Sequence, residues 1–140
     1  MNPLPSSRLV FLSDLKRTRA GEKVRFLGCV ECYDVCTATL TLKHAYPANP
    51  STIAHVNIEH VLESVNRDDL EIGAWLNIIG TVAPPTTSAK QRSKMTQRET
   101  AADNVHVLAT LLWNAGDIQL DAYEKAVEAR KAADALFDRA

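Results

Sequence analysis

Rings are scarce in this chain: three Phe, three Tyr and two Trp make up 6% of its 140 residues. Stand-alone binding of single-stranded nucleic acid draws about 1–3 kcal/mol from each base stacked on an aromatic side chain. Few rings leave little room for that mode. Charge of one sign is missing too, because 16 Lys and Arg against 17 Asp and Glu give a net charge of -1. That balance argues against coating a polyanion by bulk electrostatics. No apolar run approaches the roughly 20 residues of a membrane span. Met1 to Ser7 lacks the basic-then-apolar order of a signal peptide, so no membrane and an intracellular compartment are expected.

Chemistry-bearing motifs are equally thin. There is no glycine-rich phosphate loop, no nucleophile elbow and no zincin pairing of His with Glu. His55-x4-His60 straddles the end of a strand-like run, and His106 stands alone beside Val105 and Val107. The expectation is a protein that is not an enzyme and holds no cofactor. Cys29, Cys32 and Cys36 are an odd, closely spaced set with no disulfide framework. Cys29 and Cys32 form a CxxC inside a strand-like run, where positions three apart face opposite ways. They therefore read as small buried hydrophobes, and no metal site is expected.

What is present is alternation. Val24 to about Tyr33 forms a strand with apolar residues on both faces and Gly28 at its middle, the mark of a bulge or sharp coil. Thr37, Thr39 and Thr41 alternate with Ala38, Leu40 and Leu42 as the second strand. Ala54, Val56 and Ile58 carry the third, and Val61, Leu62 and Val65 keep the spacing of a short helix. Ala74 to Val82 is the fourth strand, ended by Pro84-Pro85. Residues 84–103 turn polar and read as a long mobile loop. The fifth strand runs from Val105 to Trp113, with Val105, Val107, Ala109 and Leu111 on one side. Ahead of these, Leu9 to Leu12 is a leading strand or a plug. Three strands, a short helix between strands three and four, two more strands and a long C-terminal helix are the order of a five-stranded OB-fold barrel. One domain over residues 8–138 is expected, a size that buries roughly two-thirds of its unfolded surface.

The closing segment, about 117–137, is rich in alanine and strongly helical by propensity. Leu120, Tyr123, Val127 and Arg130 share one stripe of it. A small barrel fills its interior with its own side chains. The stripe must then fold back on the barrel wall or meet a second polypeptide. Tyr and Arg within an apolar stripe favour an interface, since both concentrate binding energy at such surfaces.

OB-folds commonly bind nucleic acid across strands two and three and the adjoining loops. The outward residues there are expected to be Thr37, Thr39, Thr41, Lys43, His55 and Asn57, with Tyr33 and Tyr46 as stacking rings at the strand ends. Lys90, Arg92, Lys94 and Arg98 give the 84–103 segment a local positive charge able to meet phosphates in a salt-sensitive way. An autonomous single-strand binder, similar to the small subunit of replication protein A, is thus the alternative reading.

Three segments carry a family resemblance. Lys23-Val-Arg25-Phe-Leu-Gly28-Cys-Val resembles the first strand of the smallest subunit of the telomere-capping CST complex, the Ten family, particularly its fungal members. Trp75-Leu-Asn-Ile-Ile-Gly80 is similar to that family's fourth strand, and Leu120-x-x-Tyr123-x-x-x-Val127-x-x-Arg130 to its C-terminal helix. The resemblance implies a non-catalytic nuclear protein at the telomeric ends of chromosomes, bound to the OB domain of a Stn-type subunit. It implies Arg25, Leu120, Tyr123, Val127 and Arg130 as partner contacts. Through the complex it also implies the larger CST subunit, single-stranded telomeric DNA and, indirectly, DNA polymerase alpha–primase in lagging-strand fill-in.

Overall fold

A computed structural model describes residues 7–44, 46, 52–83 and 104–138 of the chain. Six strands lie within them: β1 (Arg8–Leu9), β2 (Lys23–Asp34), β3 (Thr39–Lys43), β4 (Ile53–Asn57), β5 (Trp75–Val82) and β6 (Asn104–Asn114). One α-helix, α1 (Leu120–Asp138), closes the chain. The sheet runs β1-β2-β3-β4-β6-β5 and closes on itself through β2 against β5. β4 and β6 pair in parallel, as do β1 and β2, and the other ladders are antiparallel. This is the expected five-stranded OB barrel with one short strand added to its rim.

Period-2 alternation builds the interior. Val24, Phe26, Leu40, Leu42, Val56 and Ile78 are completely buried, and their sequence neighbours point outward. The second strand, β2, is long enough to serve two walls. Its first half, residues 23–29, pairs with β5, and Cys29 to Asp34 pairs with β3. Gly28 sits where those duties overlap. A Cβ there would lie 2.8 Å from the Leu42 Cβ, so the glycine permits close packing across the barrel. The bulge expected at Gly28 falls three residues later, between Val30 and Cys32.

That bulge corrects the reading of the cysteines. The extra residue at Glu31 resets the alternation, and Cys29 and Cys32 pair with Lys43 and Thr41, both on the outer face. Cys29 is half-buried, and Cys32 and Cys36 are exposed, so they are not small buried core residues. Two local choices also differ from expectation. Ala38 adopts φ 51°, a left-handed turn conformation, so β3 starts at Thr39 and Thr37 belongs to the hairpin turn. The short helical piece after β4 consists of two 3-10 turns, Glu59–Ser64 and Arg67–Leu70, with only Val61 of the first buried.

Candidate partner interface

The outer face of β2 is unusually apolar for a barrel wall. Arg25, Leu27 and Cys29 point outward opposite Ile79, Asn77 and Trp75 of β5. Leu27 is nonetheless completely buried, as is Val127 on α1, and Phe11 before the first 3-10 turn is 2% exposed. These three lie outside the barrel interior. They are brought together because α1 crosses this wall: Tyr123 reaches the Leu27 backbone and the Lys131 ammonium sits 5.1 Å above the Phe11 ring, with Val127 on the turns between them. The apolar stripe therefore folds back on its own barrel. Val127, expected as a partner contact, is enclosed by the chain itself and anchors the helix.

One flank of α1 is tied down by polar bonds. His44 Nε2 lies 2.9 Å from Glu124 Oε2, and the Tyr46 hydroxyl donates to Glu128. Lys131 Nζ donates to Asp14 Oδ2 at 2.7 Å. Asp14 also accepts from the Phe11 N–H at 3.0 Å and from Arg17 at 2.8 Å. Burial works against the Asp14 charge, but the Lys131, Phe11 and Arg17 donors outweigh it and hold the carboxyl below its ordinary value. Tyr46 packs on Phe11 with ring centroids 4.8 Å apart, and His44 stands edge-on to Trp75 at 5.4 Å. The bond to Glu128 pushes the Tyr46 phenol up to about 12.

The opposite flank is open. Tyr123 and Arg130 are two turns apart and share it. Burial pushes the Tyr123 phenol up to about 12, with the nearby Arg25 charge and Leu27 backbone pulling the other way. Neither Tyr123 Oη nor Arg25 Nε has a hydrogen-bond partner of good geometry, although both atoms are buried. Arg25 stacks its guanidinium 5.2 Å above the Trp113 ring. Trp113 is 37% exposed and Leu111 56% exposed. They stand on the same wall as Arg25, since Ile79 pairs with Leu111 and Asn77 with Trp113. Arg130 extends the surface along the helix, exposed and linked to Asp134 at 3.4 Å. Leu120, at the helix start, is half-buried.

Leu111 corrects a further expectation. The β5–β6 ladder shifts register between Ile79 and Gly80, leaving Thr110 as the extra residue. Val105, Val107 and Ala109 face inward as expected, but beyond the bulge Leu112 takes the inward place and Leu111 and Trp113 turn out. Gly80 is the signal in the sequence. A Cβ there would meet the Leu108 carbonyl oxygen at 2.5 Å, so the crowded bulge requires glycine opposite it.

The nucleic-acid candidates scatter. The bulge at Glu31 turns Tyr33 onto the inward side, opposite Leu40, where it packs against the core. Tyr46 belongs to the helix tether. Lys90, Arg92, Lys94 and Arg98 lie outside the described residues. The outer face of β3 and β4 does present Thr39, Thr41, Lys43, His55 and Asn57.

A closed OB barrel with a helix laid against β2, and an exposed aromatic-arginine ridge beside that helix, defines a small OB-fold protein. The sequence matches the family described as "Ten1: Telomere capping, CST complex subunit" over residues 1–128, and the chain belongs to that family. No curated protein sequence matches it. Among solved structures it is similar to a chain of the S. pombe Stn1–Ten1 complex, with a TM-score of 0.66 and 23% identity, covering 91% of this chain and 94% of that one. The telomere capping protein Ten1 of S. pombe gives a TM-score of 0.65 at 24% identity, with 91% and 99% covered. U. maydis replication protein A bound to single-stranded DNA shares the fold at a TM-score of 0.52 and 17% identity, with 94% of each chain covered.

Proposed function

We propose that this chain is a non-catalytic subunit of a nuclear telomere-capping assembly. It pairs with the OB domain of a Stn-type subunit through the open flank of α1 and the adjoining barrel wall. Arg25, Tyr123, Trp113, Leu111 and Arg130 make the contact, with Leu120 at its edge and Val127 holding the helix in place. Single-stranded telomeric DNA, the larger CST subunit and DNA polymerase alpha–primase in fill-in synthesis are reached through that assembly.

The observation that carries the reading is the Arg25–Trp113 stack with exposed Leu111 on the same wall. Aromatic and arginine side chains supply most of the binding energy at protein interfaces. Co-expression with a Stn-type OB domain tests it. Arg25→Glu with Trp113→Ala is expected to abolish co-purification while the circular dichroism of a folded barrel is kept. Undiminished co-purification contradicts the reading.

A further inference from the structure

Basic side chains are unevenly spread along this chain. Residues 8–23 hold five Lys and Arg against two acids, Asp14 and Glu22, a net +3 in a chain whose total is -1. The fold wraps part of that excess around a concavity. A cavity of about 260 Å³ opens between β1, the 3-10 turn Leu12–Arg17, the loop leading to β2 and the second half of α1. Arg8, Arg17 and Lys131 line it together with Asp14, Glu22 and Asp134. Two of the acids are already compensated. Asp14 is 12% exposed and accepts from Arg17 at 2.8 Å and from Lys131 at 2.7 Å, which holds both cations in place. Asp134 is drawn to Arg130 at 3.4 Å. Arg17 is 71% exposed and meets Asp14 through one guanidinium nitrogen, so the rest of its donor fork is available. Arg8 is exposed and pairs with no carboxylate among the described residues.

We propose that this cavity is a docking site for an acidic segment of a protein partner, whose carboxylate side chains meet Arg8, Arg17 and Lys131. Charge complementarity selects the occupant. The guanidinium fork matches a carboxylate in geometry as well as charge. Asp14 fixes Arg17 and Lys131 before a ligand arrives, which lowers the ordering cost of binding. A peptide is favoured over a nucleic-acid strand for two reasons. No ring lines the cavity to stack a base, and Phe11 beneath Lys131 is 2% exposed. Glu22 and Asp134 also interrupt the basic surface. That opposes the evenly spaced phosphates of a strand, whereas a peptide sets the spacing of its carboxylates by its own sequence. The site lies on the tethered flank of α1, while Tyr123 and Arg130 occupy the other flank. It is a second contact surface, separate from the ridge ascribed to the Stn-type domain, and leaves the chain free to engage both proteins at once.

Fluorescence anisotropy of the full chain at low salt, with a labelled peptide alternating Glu and Ser and a counterpart carrying Gln for Glu, tests the site. The acidic peptide is expected to bind with an affinity that falls as salt is raised, and the Gln peptide about ten-fold more weakly. Arg8→Glu with Arg17→Glu is expected to weaken the acidic peptide about ten-fold or more, since two attractions become repulsions. Arg8→Gln with Arg17→Gln adds no charge beside Asp14, so it keeps the test valid should the reversal unfold the chain. It is expected to weaken binding about three-fold, and Glu22→Gln to tighten it about two-fold. No detectable binding of the acidic peptide, equal binding of the two peptides, or arginine variants that bind like the original overturns the site. Displacement of the peptide by excess oligothymidine overturns the assignment to a protein partner. Arg8→Gln with Arg17→Gln is expected to co-purify with the Stn-type domain as before, whereas Arg25→Glu with Trp113→Ala loses the domain and keeps the peptide, so the two readings fail separately.

Discussion

Two outer walls of one barrel have opposite fates. The wall of β3 and β4 is polar, with Thr39, Thr41, Lys43, His55 and Asn57 facing out. The wall of β2 and β5 carries Leu27 and Trp75 on its outer side and is crossed by α1, which buries Leu27, Phe11 and Val127 in a second, smaller apolar cluster. Both walls follow the same two-residue period. What separates them is the chemistry of the residues that the period sends outward. An apolar outer residue recruits a covering element, and a polar one leaves the wall for solvent or ligand. The covering helix is only tethered along one flank, and the residues it leaves beside its other flank form the ridge that is ascribed to the partner.

Substitutions that reverse the character of each wall break this comparison most sharply. Val127→Asp places a charge inside the second cluster and is expected to cost roughly 3–5 kcal/mol. Thr41→Asp on the bare wall is expected to stay within about 0.5 kcal/mol of the original. Urea unfolding of the two variants measures the contrast. Gly28→Ala comes next, because its new Cβ meets Leu42 across the barrel. About 1–3 kcal/mol is expected from such overpacking, read from the same unfolding curves.

Asp14→Asn sharpens the role of the tether. The Asp14 carboxyl has its folded value below its unfolded value of about 3.9, so its stabilisation is present above that value and is lost as pH falls through the folded one. The original chain is expected to lose this contribution as pH drops below about 4, and Asp14→Asn to show a flatter acid limb. At neutral pH the substitution is expected to cost about 1.5–3 kcal/mol, the range for hydrogen bonds to a charged group. Thermal melts across that pH range provide the check.

The smallest effects are expected from the free flank and the phenols. Arg130→Glu is expected to change stability by no more than about 0.5 kcal/mol, since its pair with Asp134 is exposed. Its cost is expected in partner affinity, measured by titration calorimetry against a Stn-type domain. Tyr46 and Tyr123 are both pushed up to about 12, the first by its bond to Glu128 and the second by burial. Both values are raised, so the folded state is at full strength below the ordinary phenol value of about 10 and weakens as pH rises toward 12. Ultraviolet titration is expected to show two phenols ionising late, and Tyr46→Phe to remove one of them.

Most of the barrel was legible in the sequence because alternation reports burial directly. Leu40 and Leu42, Ala54 and Val56, Val105 and Val107 all face the interior that their spacing predicts. The misplaced faces along β2 and β6 share one cause. At Glu31 and Thr110 a single extra residue resets the period, and the faces of Cys32, Tyr33, Leu111 and Trp113 reverse beyond it. A bulge depends on which strand lies opposite and how closely, a tertiary fact that local pattern does not carry. The same limit hid the stacking of the His55 ring on that of His106, since the residues are 51 positions apart in the chain and meet only through the β4–β6 pairing. The helix was legible as an amphipathic element. Its seat was not, because a stripe of Leu, Tyr and Val fits a barrel wall and a partner equally well. The apolar outer side of β2 was the clue, since Leu27 called for a cover.

Hydrogen exchange on the isolated chain and on its complex with a Stn-type domain addresses the central claim most directly. The amides of Tyr123 to Lys131 are expected to be protected already in the isolated chain, with added protection on complex formation concentrated at Leu111 to Asn114 and around Arg25. A helix that exchanges freely alone and becomes protected only when the second subunit binds would contradict the account.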